Sequence, residues 1–66
     1  MFGQKIKQLR EQSKLSQYEL AKKTKIFNQS QISKIENDER FLKADELKII
    51  ADALEVTIVE LLDKPA

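Results

Sequence analysis

The chain has no cysteine, no histidine and no tryptophan, and its 66 residues include one glycine and one proline. Without cysteine, no disulfide can staple the fold. Without histidine, it lacks the commonest metal ligand and the usual general base near neutral pH. A lone glycine excludes a glycine-rich phosphate loop, and so little glycine and proline does not suit a turn-rich β fold. No apolar run approaches the roughly 18 residues of a membrane span, and no signal-peptide pattern opens the chain. A cytoplasmic protein is expected. A chain this short also leaves no room for a substrate pocket, so neither catalysis, nor a cofactor, nor a bound metal is expected.

What is present is charge and short helical periodicity. Residues 1–66 read as one domain, of a size that buries only ~60% of its unfolded surface and therefore relies on well-formed helix contacts or on oligomerisation. Charged residues make up 35% of the chain, and the net charge is only +1. That small value conceals a division. Residues 1–34 carry eight basic against two acidic side chains, a net +6, while residues 35–66 carry four basic against nine acidic, a net −5. A basic half joined to an acidic half is the asymmetry of a chain that offers one face to a polyanion.

The centre of the chain is Leu15 to Glu36. Ser16-Gln17-Tyr18-Glu19 is a capping box, in which a serine hydroxyl accepts from the amide three residues on and the glutamate accepts from the serine amide. Leu15 and Leu20 are placed to staple it. Phe27, Asn28, Gln31 and Ile32 repeat that frame twelve residues later, which leaves space for one short helix and a turn. Around these, residues 3–13 read as a first helix. Phe2, Ile6, Leu9, Arg10 and Ser13 share its core-facing stripe. A second helix runs from Gln17 to about Lys23, with Leu20, Ala21 and Thr24 inward, and a third from Gln29 to about Glu36 on Ile32 and Ile35. Leu47, Ile50, Ala51 and Leu54 define a fourth helix over 44–54, and Thr57 caps a fifth that ends near Leu62. Arg10 is the anomaly, a cation on an apolar stripe that requires either a buried partner or a route to water.

Four segments together resemble the Xre/Cro/CI-type helix-turn-helix family, to which the lambdoid phage repressors belong. They are Ile6-Lys7-Gln8-Leu9-Arg10, Leu15-Ser16-Gln17-Tyr18-Glu19-Leu20-Ala21, Gln31-Ile32-Ser33-Lys34-Ile35-Glu36 and Ile50-Ala51-Asp52-Ala53-Leu54. The likeness covers nearly the whole chain. It implies an all-α, five-helix, lambda-repressor-like DNA-binding domain with a central helix-turn-helix, acting as a transcriptional regulator of double-stranded DNA. Carried over position by position, it implies that Gln29, Ser30, Gln31, Ser33 and Lys34 face base edges in the major groove, where Gln suits adenine and Lys suits guanine. Gln17 matches a position that contacts a phosphate and braces the recognition helix, and Asn37, Arg40 and Lys43 match the segment along the sugar–phosphate backbone. Apart from the resemblance, Asn28 is expected to meet a phosphate, and Tyr18 reads either as a sugar–phosphate contact through its hydroxyl or as a plain surface tyrosine. Arg10 and Glu36 match a structural ion pair.

The chain departs from the family pattern at several points. The turn after helix 2 is one residue longer than is common, with Lys25 where the family often has glycine. If Asn28 caps helix 3, Gln29 is the first residue aimed at DNA; if Ser30 caps, the reading set moves toward Gln31 and Lys34. The positions of Ile32, Ile35 and Glu36 favour Asn28. Asp38 and Glu39 bring negative charge to the expected phosphate path, and Glu55 stands where glycine usually precedes helix 5. Lys43 occupies a cap position without a capping oxygen and at the positive end of the helix dipole.

Ile49 and Val59 have no evident place in a monomer core. With Ile58 and Leu62, and Phe41 at the margin, they are expected to form a homodimer interface that sets two recognition helices on a palindromic operator, as a repressor. The rival reading is a protein-interaction module, an antitoxin or adaptor whose main partner is another protein, docked through the acidic half. A regulatory partner protein is compatible with either.

Overall fold

The computed structural model describes residues 2–62. Among them are five helices: α1 (Gly3–Gln12), α2 (Gln17–Thr24), α3 (Gln29–Glu36), α4 (Ala44–Leu54) and α5 (Ile58–Leu62). α2 packs against both α3 and α4, α1 crosses α3, and α5 folds back on α4. The core these contacts enclose is aliphatic. Ile6, Leu20, Ile32, Ile50 and Leu61, one from each helix, are fully buried, and Ile35, Ala51 and Leu54 are nearly so. The expected domain span of 1–66 includes Met1 and residues 63–66, which lie outside the described residues.

The helix starts follow their local sequence. Ser16 Oγ accepts from the Glu19 amide at 3.0 Å, and Glu19 Oε1 accepts from the Ser16 amide at 2.8 Å. Asn28 Oδ1 and Gln31 Oε1 make the same exchange, at 2.8 and 2.9 Å. Helix α3 therefore begins at Gln29, and Ser30 lies inside it. At α4 only half of a box exists. Lys43 has no acceptor to offer, while Glu46 Oε1 accepts from the Lys43 amide at 3.0 Å. Thr57 Oγ1 accepts from the Glu60 amide at the start of α5.

Helix α1 starts differently. Phe2 precedes it in a helical conformation and supplies no cap. The missing acceptor comes from 35 residues away, as Asp38 Oδ1 accepts from the Gly3 amide at 3.1 Å. The same contact explains the chain's only glycine. A Cβ on Gly3 would lie 2.5 Å from the Glu36 carbonyl oxygen and 2.6 Å from that of Ile35, backbone atoms with no freedom to retreat.

The helix ends also depart from expectation. α1 stops at Gln12 rather than 13, and α2 runs one residue further, to Thr24. Phe2, expected on the inner stripe, is 45% exposed. Lys14, Lys25, Asp38 and Glu55 all sit at positive φ, between 58° and 65°. After α1, α3 and α4 the pattern is the two-bond Schellman closure. Leu15, Glu39 and Val56 amides reach back to the carbonyls of Arg10, Lys34 and Ala51, and the left-handed residue before each makes the inner bond, to Glu11, Ile35 and Asp52. After α2 the outer bond is replaced. Thr24 Oγ1 donates to the Ala21 carbonyl at 2.7 Å and accepts from the Phe27 amide at 3.2 Å. That hydroxyl organises the longer turn without a glycine.

Candidate nucleic-acid interface

Helix α3 presents two unlike faces. Ile32, Ile35 and Glu36 are buried, whereas Gln29, Ser30 and Lys34 are exposed and Gln31 and Ser33 lie between. All five expected base-reading residues thus occupy the outer or marginal face. They are not equally available. Gln31 already spends its carbonyl on the Asn28 amide, leaving its NH2 to donate, and Asn28 spends its own on the Gln31 amide. Gln29, Ser30 and Lys34 have no side-chain hydrogen bond among the described residues.

The inner end of α3 is tied down by a buried polar cluster. Arg10 Nε donates to Glu36 Oε2 at 2.6 Å and Nη2 donates to Oε1 at 3.2 Å, a two-point contact. Arg10 Nη1 also donates to the Leu15 carbonyl at 2.7 Å, closing the α1–α2 turn. Gln17 Nε2 adds a third hydrogen bond to Glu36, at 3.1 Å on Oε1. α1, the first turn of α2 and the last turn of α3 therefore meet at one carboxylate. Among the described residues no buried side-chain polar atom lacks a partner, which is the condition under which a buried ion pair rigidifies rather than destabilises. Hydrogen bonding to Glu36 raises the Arg10 pKa above its ordinary value against the opposing pull of burial, so Arg10 stays charged.

The remaining expected backbone-contacting residues lie on α2 and in the α3–α4 connection. Tyr18 is 56% exposed, with the Lys22 ammonium 5.5 Å from its ring centroid. Asn37 and Lys43 are exposed. Arg40 is not simply a surface cation: its guanidinium lies 4.9 Å from the centre of the Phe27 ring and donates twice to Glu46, at 3.1 and 3.4 Å. The Arg40 hydrogen bond, followed by that of the Lys43 amide, holds the Glu46 carboxyl below its ordinary range.

At the far end, Ile58 is 36% exposed, Leu62 45% and Val59 75%, while Phe41 is 82% exposed. Ile49, expected on the outer side of α4, is half-buried. The parts that Gly3, Asp38, Thr24 and Glu46 play in shaping the site are not legible in the sequence, which marks Thr24 only as an inward residue and Asp38 only as negative charge near the expected phosphate path. The one signal that pointed to any of them was a sole glycine placed within a helix.

A five-helix fold that exposes one polar face of a short, capped helix behind a second capped helix defines a helix-turn-helix DNA-binding domain. The family described as Helix-turn-helix matches residues 6–61, and the chain belongs to that family, in its Xre/Cro/CI-type branch of DNA-binding transcription regulators, which are generally non-enzymatic. A solved structure of the restriction-modification controller protein C.AhdI from Aeromonas hydrophila is similar to it. The two share 30% identity over 92% of this chain and 87% of that one, with a TM-score of 0.88. No curated protein sequence matches the chain. Among the described residues, no group of side chains is arranged to hold a metal ion, and no helix is long and apolar enough to cross a membrane.

Proposed function

We propose that this protein is a cytoplasmic, sequence-specific repressor that binds a palindromic operator as a homodimer, each copy laying α3 in the major groove. The observation that carries the reading is the pairing of a free outer face on α3, Gln29, Ser30 and Lys34, with the buried Arg10–Glu36–Gln17 cluster behind it. Base reading demands donors held in fixed register, and a helix anchored at its inner end supplies that. Gln31 and Ser33 flank the reading set. Tyr18, Asn28, Asn37 and Lys43 contribute backbone contacts, together with the amides that open α2. Gln17 serves mainly as a brace, because its amide donates to Glu36. The likeness to a restriction-modification controller protein supports gene control as the task.

Ile58, Val59 and Leu62, with Ile49 beside them, form the dimer contact and place two copies of α3 about 34–36 Å apart, one turn of DNA. Sedimentation of the parent against an Ile49→Glu, Val59→Glu variant tests this contact. The parent sediments as a dimer and the variant as a monomer, and a monomeric parent ends the idea.

DNA reading itself is tested by selecting duplexes from a random pool and titrating the winners against salt. A regulator gives a specific complex whose affinity falls steeply with salt. Weak binding indifferent to sequence would instead assign the chain to protein docking, as an adaptor or antitoxin. Lys43→Ser sharpens the test, since serine completes the α4 capping box while removing a phosphate-facing cation. The melting temperature rises and the DNA affinity falls.

A further inference from the structure

Within the α3–α4 connection, residues 37–43, there are two cations, and the structure treats them differently. Lys43 is exposed and its ammonium has no ion pair among the described residues. The Arg40 guanidinium is enclosed on three counts. Its central carbon lies over the Phe27 ring, 4.9 Å from the ring centre, Nη1 and Nη2 each donate to an oxygen of Glu46, and its side chain is only 31% exposed. Both partners are themselves fixed. Phe27 is buried in the core immediately before the Asn28 cap of α3, and Glu46, 16% exposed, also accepts from the Lys43 amide.

We infer that Arg40 is a positioning residue for DNA reading and not a phosphate ligand. Its guanidinium locks the start of α3, through Phe27, to the start of α4, through Glu46. The groups aimed at bases and the Lys43 ammonium are thereby held in one register. The chemistry favours this assignment over a backbone contact. A flat, weakly hydrated guanidinium is suited to stacking on an aromatic ring and to two-point pairing with a carboxylate. An arginine already neutralised by a carboxylate displaces few counterions from DNA, whereas an unpaired lysine displaces about 0.9 per phosphate met. Glu46 is thus part of the same device. Although acidic and near the expected phosphate path, it holds Arg40 and the Lys43 amide in place.

This inference rests on the DNA-reading function proposed above, and the experiment separates the two. The probe is the duplex that the parent chain selects from a random pool, with an unrelated duplex of equal length as reference. Affinity is measured across a salt series, at a temperature where circular dichroism shows each variant folded. Lys43→Gln lowers the salt slope by about 0.9. Arg40→Gln weakens the selected duplex several-fold with the slope unchanged and the unrelated duplex little affected. Arg40→Lys retains the charge but not the two-point contact, and fails to restore affinity. Glu46→Gln weakens binding as Arg40→Gln does, and combining the two costs little more.

The opposite pattern overturns the inference. A phosphate-binding arginine gives a reduced slope in Arg40→Gln and near-parent binding in Arg40→Lys. It also gives tighter binding in Glu46→Gln, where the guanidinium is released to DNA. Should Arg40→Gln fail to fold, Arg40→Lys and Glu46→Gln still decide between the patterns. A parent chain that selects no duplex overturns the proposed function first, and is recognisable as that failure because no variant need be compared.

Discussion

Two arginine–glutamate pairs bracket helix α3, and they differ in nearly every physical respect. Arg10 and Glu36 are buried, 10% and 2% exposed in their side chains and 2.6 Å apart, and join α1 to the inner end of α3. Arg40 and Glu46 lie near the surface, 31% and 16% exposed and 3.1 Å apart, and link the outer connection to α4. A buried pair is costly to desolvate and acts mainly to enforce one arrangement, so removing a single partner leaves an uncompensated charge inside the protein. A partly exposed pair contributes little to stability on its own, because water screens it. The first pair therefore governs whether the reading helix is folded into place. The second adjusts where its contacts fall.

The largest effect expected from this contrast is at Glu36. Glu36→Ala leaves Arg10 buried without a counter-charge, bonded only to the Leu15 carbonyl, and deprives Gln17 of its acceptor, at a cost of about 3–5 kcal/mol. A domain of this size holds about that much stability in total, so the variant is largely unfolded at 25 °C by circular dichroism. Arg10→Met combined with Glu36→Leu recovers much of the loss, because apolar replacement removes both charges together. A stable, DNA-binding Glu36→Ala chain would show that the buried pair is not what holds α3.

Gly3→Ala comes next. One methyl group placed against the Glu36 and Ile35 carbonyls forces α1 away from α3 and lengthens the Asp38 hydrogen bond to the Gly3 amide. Overpacking of this kind costs about 1–3 kcal/mol, or roughly 4–8 °C in Tm for each kcal/mol in so small a domain. Differential scanning calorimetry reads it directly. An unchanged Tm would mean that α1 approaches α3 less closely than the geometry requires.

The elements written locally were the easily read ones. Ser16–Glu19 and Asn28–Gln31 are four-residue frames whose hydrogen bonds form within a single turn, so their spacing alone located the starts of α2 and α3. The Arg10–Glu36 pair spans 26 residues, yet a cation on an apolar stripe demanded a partner, and the family resemblance supplied its identity. Neither kind of signal exists for Asp38. Its carboxylate caps a helix 35 positions earlier, and in the sequence it is one acidic residue in a polar turn. The resemblance set Arg40 along the sugar–phosphate backbone, and its paired state was not legible because it depends on the approach of Phe27 and Glu46 in three dimensions. The turn after α2 was only partly legible: Lys25 takes the left-handed position where glycine is usual, but nothing in the sequence marks the Thr24 hydroxyl as the group that bonds the turn together.

Acid titration reports on the outer pair, by a smaller effect. The Glu46 carboxyl, held down by Arg40 and then by the Lys43 amide, has a folded-state pKa below its ordinary 4.5. A depressed carboxyl contributes stability in full above its unfolded value and loses it as pH falls through the folded value. The Tm gap between the parent and Glu46→Gln is therefore constant above about pH 5 and closes below pH 4.5. Glu19, depressed by the Ser16 amide and then by the Ser16 hydroxyl, behaves in the same sense and persists in the variant. Arg10, its pKa raised by the hydrogen bond to Glu36, loses its own contribution only as pH rises through that raised value, far above this range. A gap that does not close in acid would mean that Arg40 and Glu46 are not paired in solution.

The smallest expected effects concern the left-handed helix ends and carry the contrast between inner and outer contacts into the backbone. Lys25 and Glu55 sit at φ 65° and 59°, and their side chains make at most an exposed ion pair, Lys23 with Glu55 at 3.6 Å. Glycine at either position relieves the strain of a β-carbon in that region and gives back part of the gain as chain entropy, for a net stabilisation of up to about 1 kcal/mol. Asp38 has the same φ, 59°, but its carboxylate also holds the Gly3 amide. Asp38→Gly therefore combines the same relief with the loss of a hydrogen bond worth about 1 kcal/mol, and its Tm stays at or below that of the parent. Thermal melts of the three single variants rank them. If Asp38→Gly gained as much as Lys25→Gly, the bond from α3's end to α1's start would carry no net stability, and the polar tie between those two helices would rest on the buried pair.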